Sequence, residues 1–255
     1  MIHRNVTTQP SPHVQNKRAQ RKRDILRVTL TLIEDRGIDT LKMTDIAQAM
    51  DWRVGALYRY YPSRDAIEVD LQRVILIGLR KSGLTLVKNT RRLKHALSPL
   101  IETAGLCLHY AAFSSAYPWP MAVLGASLAL PRFVFQDDDA KAVAHDVSLG
   151  LIDLSRALES TAAAGLIDHG SAPTRALSLW SALHGVSLTG KLNRFAPSHP
   201  SAIDLSASLL TAIMVGWGAK ASHVKTAVNL VTNPQVMTPI FDIDAALAEL
   251  SPGGL

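Results

Sequence analysis

The chain contains a single cysteine, Cys107. That excludes an intrachain disulfide or a cysteine metal cluster and suits a reducing cytoplasm, the expected location. Aromatic residues are scarce, 5% of 255 positions, and only 19% of residues carry formal charge. No segment alternates apolar and polar residues as a half-buried strand would. No internal repeat, low-complexity tract or phosphate-binding glycine loop is present. The N-terminus, MIHRNVTTQPSPHVQNKRAQRKRD, has no apolar core and does not read as a signal peptide. Nine histidines are scattered without the His-x-x-x-His spacing of a zinc helix. The segment GVSLTG (185–190) has too many residues for a Gly-x-Ser-x-Gly elbow and lacks the strand that elbow needs. Asp137, Asp138 and Asp139 have no fourth ligand at useful spacing and read as an acidic helix start. These absences predict a chain that is not an enzyme and needs no cofactor or metal.

Charge is also missing from one long stretch. Between Glu102 and Arg132 no residue is formally charged, a gap long enough to cross a bilayer. Pro118, Pro120, Pro131 and the turn SSAYP (114–118) interrupt it, so two buried helices with a break fit better, and no membrane is expected as a partner. With 47% hydrophobic residues the chain is globular rather than disordered. The net charge of +6 is concentrated at one end. Residues 1–92 hold 18 Lys and Arg against 9 Asp and Glu, a net of +9, whereas residues 103–217 hold 6 against 8. Such asymmetry points to a polyanion-binding module joined to a module of another kind.

The spacing is helical throughout. After a polar stretch over 1–16, expected to be a disordered arm, Lys17, Arg18, Arg21, Lys22 and Arg23 crowd five cations into seven positions. Ile25, Val28, Leu32 and Ile33 form a stripe ending at Gly37. Thr44 is a candidate N-cap for a short helix facing inward with Ile46, Ala47 and Met50. A further short helix over 53–60 turns Leu57 and Tyr61 inward and stops before Pro62. Ser63 can cap the next helix, with Asp65 against its dipole. Helices are then expected near 64–82, 84–98, 99–116, 120–131, 139–164, 172–195 and 203–220. The predicted class is all-α: a three-helix helix-turn-helix domain over 17–66, then a helical bundle over 67–221. The extension over 222–255 is of uncertain structure, with a short helix around 240–250.

The segments ILRVTLTLIEDRG (25–37), MTDIAQAM (43–50) and VGALYRYYPSRDAI (54–67) resemble the TetR family of transcriptional regulators, in both order and spacing. Trp180, His184 and Gly185 in LWSALHGVSLTGKLNRF (179–195), with HYAAFSSAYP (109–118), resemble a WHG-type C-terminal regulatory domain of that family. One departure stands out. The turn before the reading helix is Asp51-Trp52-Arg53 rather than a glycine, a small apolar residue and a hydroxyl residue. Aspartate tolerates left-handed backbone, so the turn can survive.

The resemblance implies a regulator, usually a repressor, that binds a pseudo-palindromic double-stranded DNA operator as a homodimer and is released by a small, largely apolar ligand. Arg53 can pair with guanine or contact only phosphate and water. Val54 and Ala56 can touch thymine methyls or simply fill space. Gly55 allows either close DNA approach or helix packing. Tyr58, Tyr60 and Arg64 are implied phosphate contacts, with Thr44 and Lys42 beside them. Arg59 is read as an ion-pair residue, and the cations of 17–23 as able to reach phosphates or a minor groove. Ligand candidates are Phe113, Trp119, Met121, Leu124, Phe133, Trp180, His184 and Ser187, although Trp180 and His184 also suit a packed core. Leu205, Leu209, Ile213 and Trp217 form a stripe for a dimer interface or for internal packing. The competing function class is a helical small-molecule binding protein with a vestigial helix-turn-helix.

Overall fold

A computed structural model describes residues 11–129, 137–189 and 200–250, and all regular structure among them is helical. In chain order the helices are α1 (Pro12–Arg36), α2 (Met43–Ala49), α3 (Val54–Leu57), α4 (Arg64–Arg91), α5 (Ser98–Ala116) and α6 (Pro118–Ala129). They continue as α7 (Asp137–Ala163), α8 (Ala172–Thr189), α9 (Ala202–Gly216), α10 (Ala221–Val231) and α11 (Ile243–Glu249).

Residues 12–16, expected to be disordered, belong to α1. Pro12 opens it at a position where a fixed φ and a missing N–H cost nothing. The helices expected near 64–82 and 84–98 are one helix, α4, running through Ser82 and Gly83. Tertiary packing overrides local propensity there, because both residues are buried against α5. At its start, Ser63 Oγ accepts from the Ala66 N–H at 3.1 Å, as its cap role requires. The acidic triplet over 137–139 opens α7.

Two apolar cores organise the molecule. The first joins Ile25, Leu30 and Ile33 of α1, Ile46 of α2, Leu57 of α3 and Ile67, Leu71 and Ile75 of α4. Val123 and Leu124 of α6 and Leu247 of α11 fill the same core. The head therefore does not fold around itself alone. The second core packs α5 against α7, α8, α9 and α10 through Leu108, Leu158, Leu183, Met214 and Val224.

The tail beyond 222 acts as a strap. Phe241 enters an aromatic cluster, 5.6 Å from the Phe113 ring and 5.7 Å from Trp119. The Tyr117 hydroxyl donates to Pro239 O at 3.3 Å and accepts from the Phe241 N–H at 3.2 Å. At the far end, the Arg23 Nε–H donates to Leu247 O at 3.2 Å, and Arg27 and Lys81 pair with Asp244 and Glu249. These contacts tie α11 to both α1 and α4.

Candidate nucleic-acid interface and ligand cavity

The turn between α2 and α3 is held by main-chain bonds. The Trp52 N–H donates to Ala47 O at 2.8 Å and the Asp51 N–H to Gln48 O at 3.0 Å. Asp51 sits at φ 55, the left-handed geometry that aspartate tolerates. The α3 element is shorter than the expected 53–60. Only Val54–Leu57 is α-helical, and residues 58–60 form a turn in which Leu57 O accepts from both the Tyr60 and Tyr61 N–H groups.

The inward and outward faces separate cleanly. Leu57 and Tyr61 are buried, whereas Arg53, Gly55, Tyr58 and Arg59 are exposed and Val54 and Ala56 are half-buried. A Cβ at Gly55 would meet nothing within 4 Å, so internal packing does not require the glycine. Lys42 and Thr44 are exposed on the same head. Thr44 is not the N-cap. Lys42 holds that place, and the Asp45 carboxylate accepts from the Lys42 N–H at 3.0 Å, satisfying the helix start from inside it. Arg59 has no ion-pair partner among the described residues. Its carbonyl O instead accepts from Arg18 Nη2 at 3.0 Å.

The basic segment of α1 is engaged with rings rather than extended as an arm. Arg18 lies 5.7 Å from the Tyr60 ring centre, Arg21 5.8 Å from Trp52 and Lys22 4.7 Å from Tyr61. Trp52 and Tyr60 in turn lie 5.6 Å apart. Cations over aromatic faces at such distances attract the ring quadrupole. This ladder fixes the α2–α3 unit against α1, and the unusual Trp52 is one of its rungs. Tyr60 is consequently half-buried. Arg64 is also committed inward: Nη2 donates to Ile38 O at 2.9 Å and Nε pairs with Glu68 at 2.6 Å. It braces the α1–α2 loop against α4.

A buried polar chain leaves the head from Tyr61. Its hydroxyl donates to Asp70 Oδ2 at 2.9 Å, and Lys22 Nζ lies 3.8 Å from the same oxygen. Arg73 lies 3.9 Å from Asp70 Oδ1 and donates through Nε to Asp146 of α7 at 2.9 Å. Two turns further along both helices, the Arg80 Nε–H donates to Asp153 Oδ2 at 2.5 Å. Burial raises the Asp70 pKa, with Lys22, the Tyr61 hydrogen bond and Arg73 opposing it. Burial likewise raises the Tyr61 hydroxyl and lowers the Lys22 ammonium. The sequence pattern does not reveal this chain, because its members lie on α1, α4, α7 and the turn before α4.

Beside the second Arg–Asp pair, a cavity of about 110 Å³ opens between α4, α5, α7 and α8. Seven leucines line it, with Tyr110, His109, Cys107 and Trp180 and the charged Arg80, Asp146 and Asp153. Of the ligand candidates, Trp180 lines this cavity. His184 Nδ1 shares a 2.7 Å hydrogen bond with the Tyr110 hydroxyl, and the Trp180 and His184 rings stack 5.5 Å apart. Ser187 Oγ donates to His184 O at 2.7 Å and adjoins the Tyr110 hydroxyl. Phe113, Trp119, Met121 and Leu124 are not in its wall. Phe113 and Trp119 contact Phe241 of the strap, and Trp119, Met121 and Leu124 pack on the first core. Phe133 lies outside the described residues. Burial pushes the Cys107 thiol up to about 12 and the His109 imidazole down to about 4, so both are neutral.

On α9, Ser206, Leu210 and Met214 face the core. Leu205, Leu209, Ile213 and Trp217 are half-buried, the last three packed against the second core. The outermost positions of α8 and α9 include Leu177, Ser181, Gly185, Leu188, Ser208, Ala212 and Val215. Among the described residues, no helix is long and apolar enough to cross a membrane, and no three metal-ligating side chains cluster.

Residues 25–68 match the family model of bacterial regulatory proteins, tetR family. No curated protein matches the chain. RolR, solved in complex with resorcinol, shares the fold at a TM-score of 0.59 and 16% identity, over 89% of this chain and 100% of that one. A protein of unknown function from Rhodococcus sp. RHA1 has a TM-score of 0.58 at 17% identity, over 84% and 99%. FadR of Thermus thermophilus, a TetR-family transcriptional repressor in complex with lauroyl-CoA, has a TM-score of 0.53 at 17% identity, over 82% and 92%. The chain thus carries the N-terminal helix-turn-helix domain of the TetR-family transcription regulators on an all-α fold shared with solved members of that family.

Proposed function

We propose that the protein is a ligand-responsive repressor that binds a pseudo-palindromic operator as a homodimer and releases it when a small, largely apolar molecule enters the cavity. The observation that carries this reading is the arrangement of α3. With its flanking residues it offers Arg53, Gly55 and Tyr58 to a partner on the outward side, while Tyr61, which follows it and faces inward, is bonded to Asp70 of the helix that lines the cavity. Arg53 reads a base edge, Gly55 permits close approach, and Tyr58, Lys42 and Thr44 contact phosphates. Tyr60 and Arg64 position this surface through their inward contacts. The exposed faces of α8 and α9 form the dimer contact, which sets the two reading heads about one DNA turn apart. Resorcinol and lauroyl-CoA in the structurally similar proteins support a body that accepts small molecules.

A ligand acts by favouring one placement of α4 against α7, and the Asp70–Arg73–Asp146 chain carries that shift to Tyr61. Selection from fragmented genomic DNA tests the reading. The intact chain enriches a two-fold symmetric site, and Arg53→Ala and Tyr58→Phe lower its retention. If no sequence is enriched, or both variants retain the site equally well, the chain is instead a helical small-molecule binder with an inactive head.

A further inference from the structure

Resting on that reading, the cavity wall also indicates which ligand chemistry it takes. Ser82 and the strap set the state of His109. The Ile240 N–H can only donate, and it donates to Ser82 Oγ at 2.9 Å. The Ser82 hydroxyl proton has one acceptor among the described residues, His109 Nε2 at 2.8 Å. Nε2 therefore accepts, and the network assigns the proton of the neutral ring to Nδ1. The side chain is buried, yet Nδ1–H has no hydrogen-bond partner among the described residues. It faces α4 at Gly83, where an added Cβ would lie 3.5 Å away, and both residues line the cavity. Nδ1 is not closed off inside the protein, so this donor is open to a ligand or water at the cavity.

The rest of the wall restricts charge and size. Arg80 is the one cation among the lining residues, and Asp153 neutralises it with two contacts at 2.5 and 3.3 Å. Asp146 is paired with Arg73 at 2.9 Å. Among the described lining residues no cation is free to compensate an anion brought out of water, a transfer that is costly without one. Leu76, Leu79, Leu151, Leu154, Leu183 and Trp180 supply an apolar surround. The volume of about 110 Å³ is on the scale of a single six-membered ring.

We propose that the cavity takes a small neutral ring compound with one hydrogen-bond-accepting oxygen, and that His109 Nδ1–H donates to that oxygen. Three probes of nearly equal shape separate the possibilities: acetophenone, ethylbenzene, which lacks the acceptor, and benzoate, which carries charge. Calorimetric titration of the full chain is expected to show acetophenone binding about three- to tenfold tighter than ethylbenzene, as one hydrogen bond predicts, with benzoate weakest. His109→Phe should bring acetophenone and ethylbenzene to equal affinity. Gly83→Ala favours the helix and places a methyl in ordinary contact with Nδ1, so it should keep the fold and weaken acetophenone.

Equal binding of acetophenone and ethylbenzene by the unmodified protein, tightest binding of benzoate, or no binding of any probe overturns the inference. DNA retention measured on the same preparations keeps the two readings apart. Failure of the probes with DNA selection intact removes the ligand assignment alone. Probe discrimination without DNA selection upholds that assignment and removes the regulatory reading.

Discussion

Acid should unfold this protein partly through His109, by an amount that the structure allows to be worked out. Burial lowers its pKa from the ordinary 6.5 to about 4. In the unfolded chain the ring takes up a proton as pH falls through 6.5, and in the folded chain it does so only near 4. The unfolded state thus binds more protons across that window, so stability falls as pH falls. A distance of about 2.5 pH units at 1.36 kcal/mol each gives about 3 kcal/mol lost by pH 4. His109→Phe removes the titration and also the bond to Ser82, costing about 1 kcal/mol at neutral pH. The variant should be the less stable protein at pH 7.5 and the more stable one near pH 4.5. Asp70 and Glu68, whose pKa values burial raises, act in the opposite sense but equally in both proteins. Urea denaturation followed by circular dichroism at a series of pH values measures the two profiles. Parallel profiles would refute the reasoning, since they would mean that His109 protonates as readily in the fold as out of it.

Other perturbations test separate contacts. Asp146→Ala leaves Arg73, 8% exposed, with only Asp70 at 3.9 Å, and should cost about 3–5 kcal/mol in denaturant unfolding. Gly78→Ala drives a methyl into the Phe241 ring and should cost about 1–3 kcal/mol, read as faster proteolysis between residues 232 and 242. Ala212→Arg places a cation on the exposed face of α9. It should shift the elution of the proposed dimer towards monomer without changing the helical signal.

Much of the head was legible from sequence because its determinants are local. The stripe of Ile25, Val28, Leu32 and Ile33, the left-handed Asp51 and the Ser63 cap each follow from neighbours within a few residues, and the fold buries Ile25 and Ile33, half-buries Val28 and Leu32, and holds the other two as expected. The fold departs from local expectation where distant chain segments meet. Phe113, Trp119, Met121 and Leu124 look like pocket residues in an uncharged stretch, yet Phe241, more than a hundred positions away, and the head core absorb them. Arg64 resembles a phosphate clamp, and spacing gives no sign that it also bonds Ile38 O and Glu68. For the cations of 17–23, spacing alone gives no sign that Tyr60, Trp52 and Tyr61 lie beneath Arg18, Arg21 and Lys22. Nothing in the local sequence marks His109 as a donor. Only the fold shows its second nitrogen unpartnered at the cavity wall.

The central claim is that the exposed face of α3 and its neighbours reads DNA. Fluorescence anisotropy on the selected duplex, across a salt series, tests it most directly. Log affinity should fall linearly with log salt, with a slope of about −0.9 per phosphate neutralised. Arg53→Ala should lose about 1–3 kcal/mol and relax preference at one base position in each half-site. Binding that is indifferent to salt, or unchanged in sequence preference without Arg53, would contradict it.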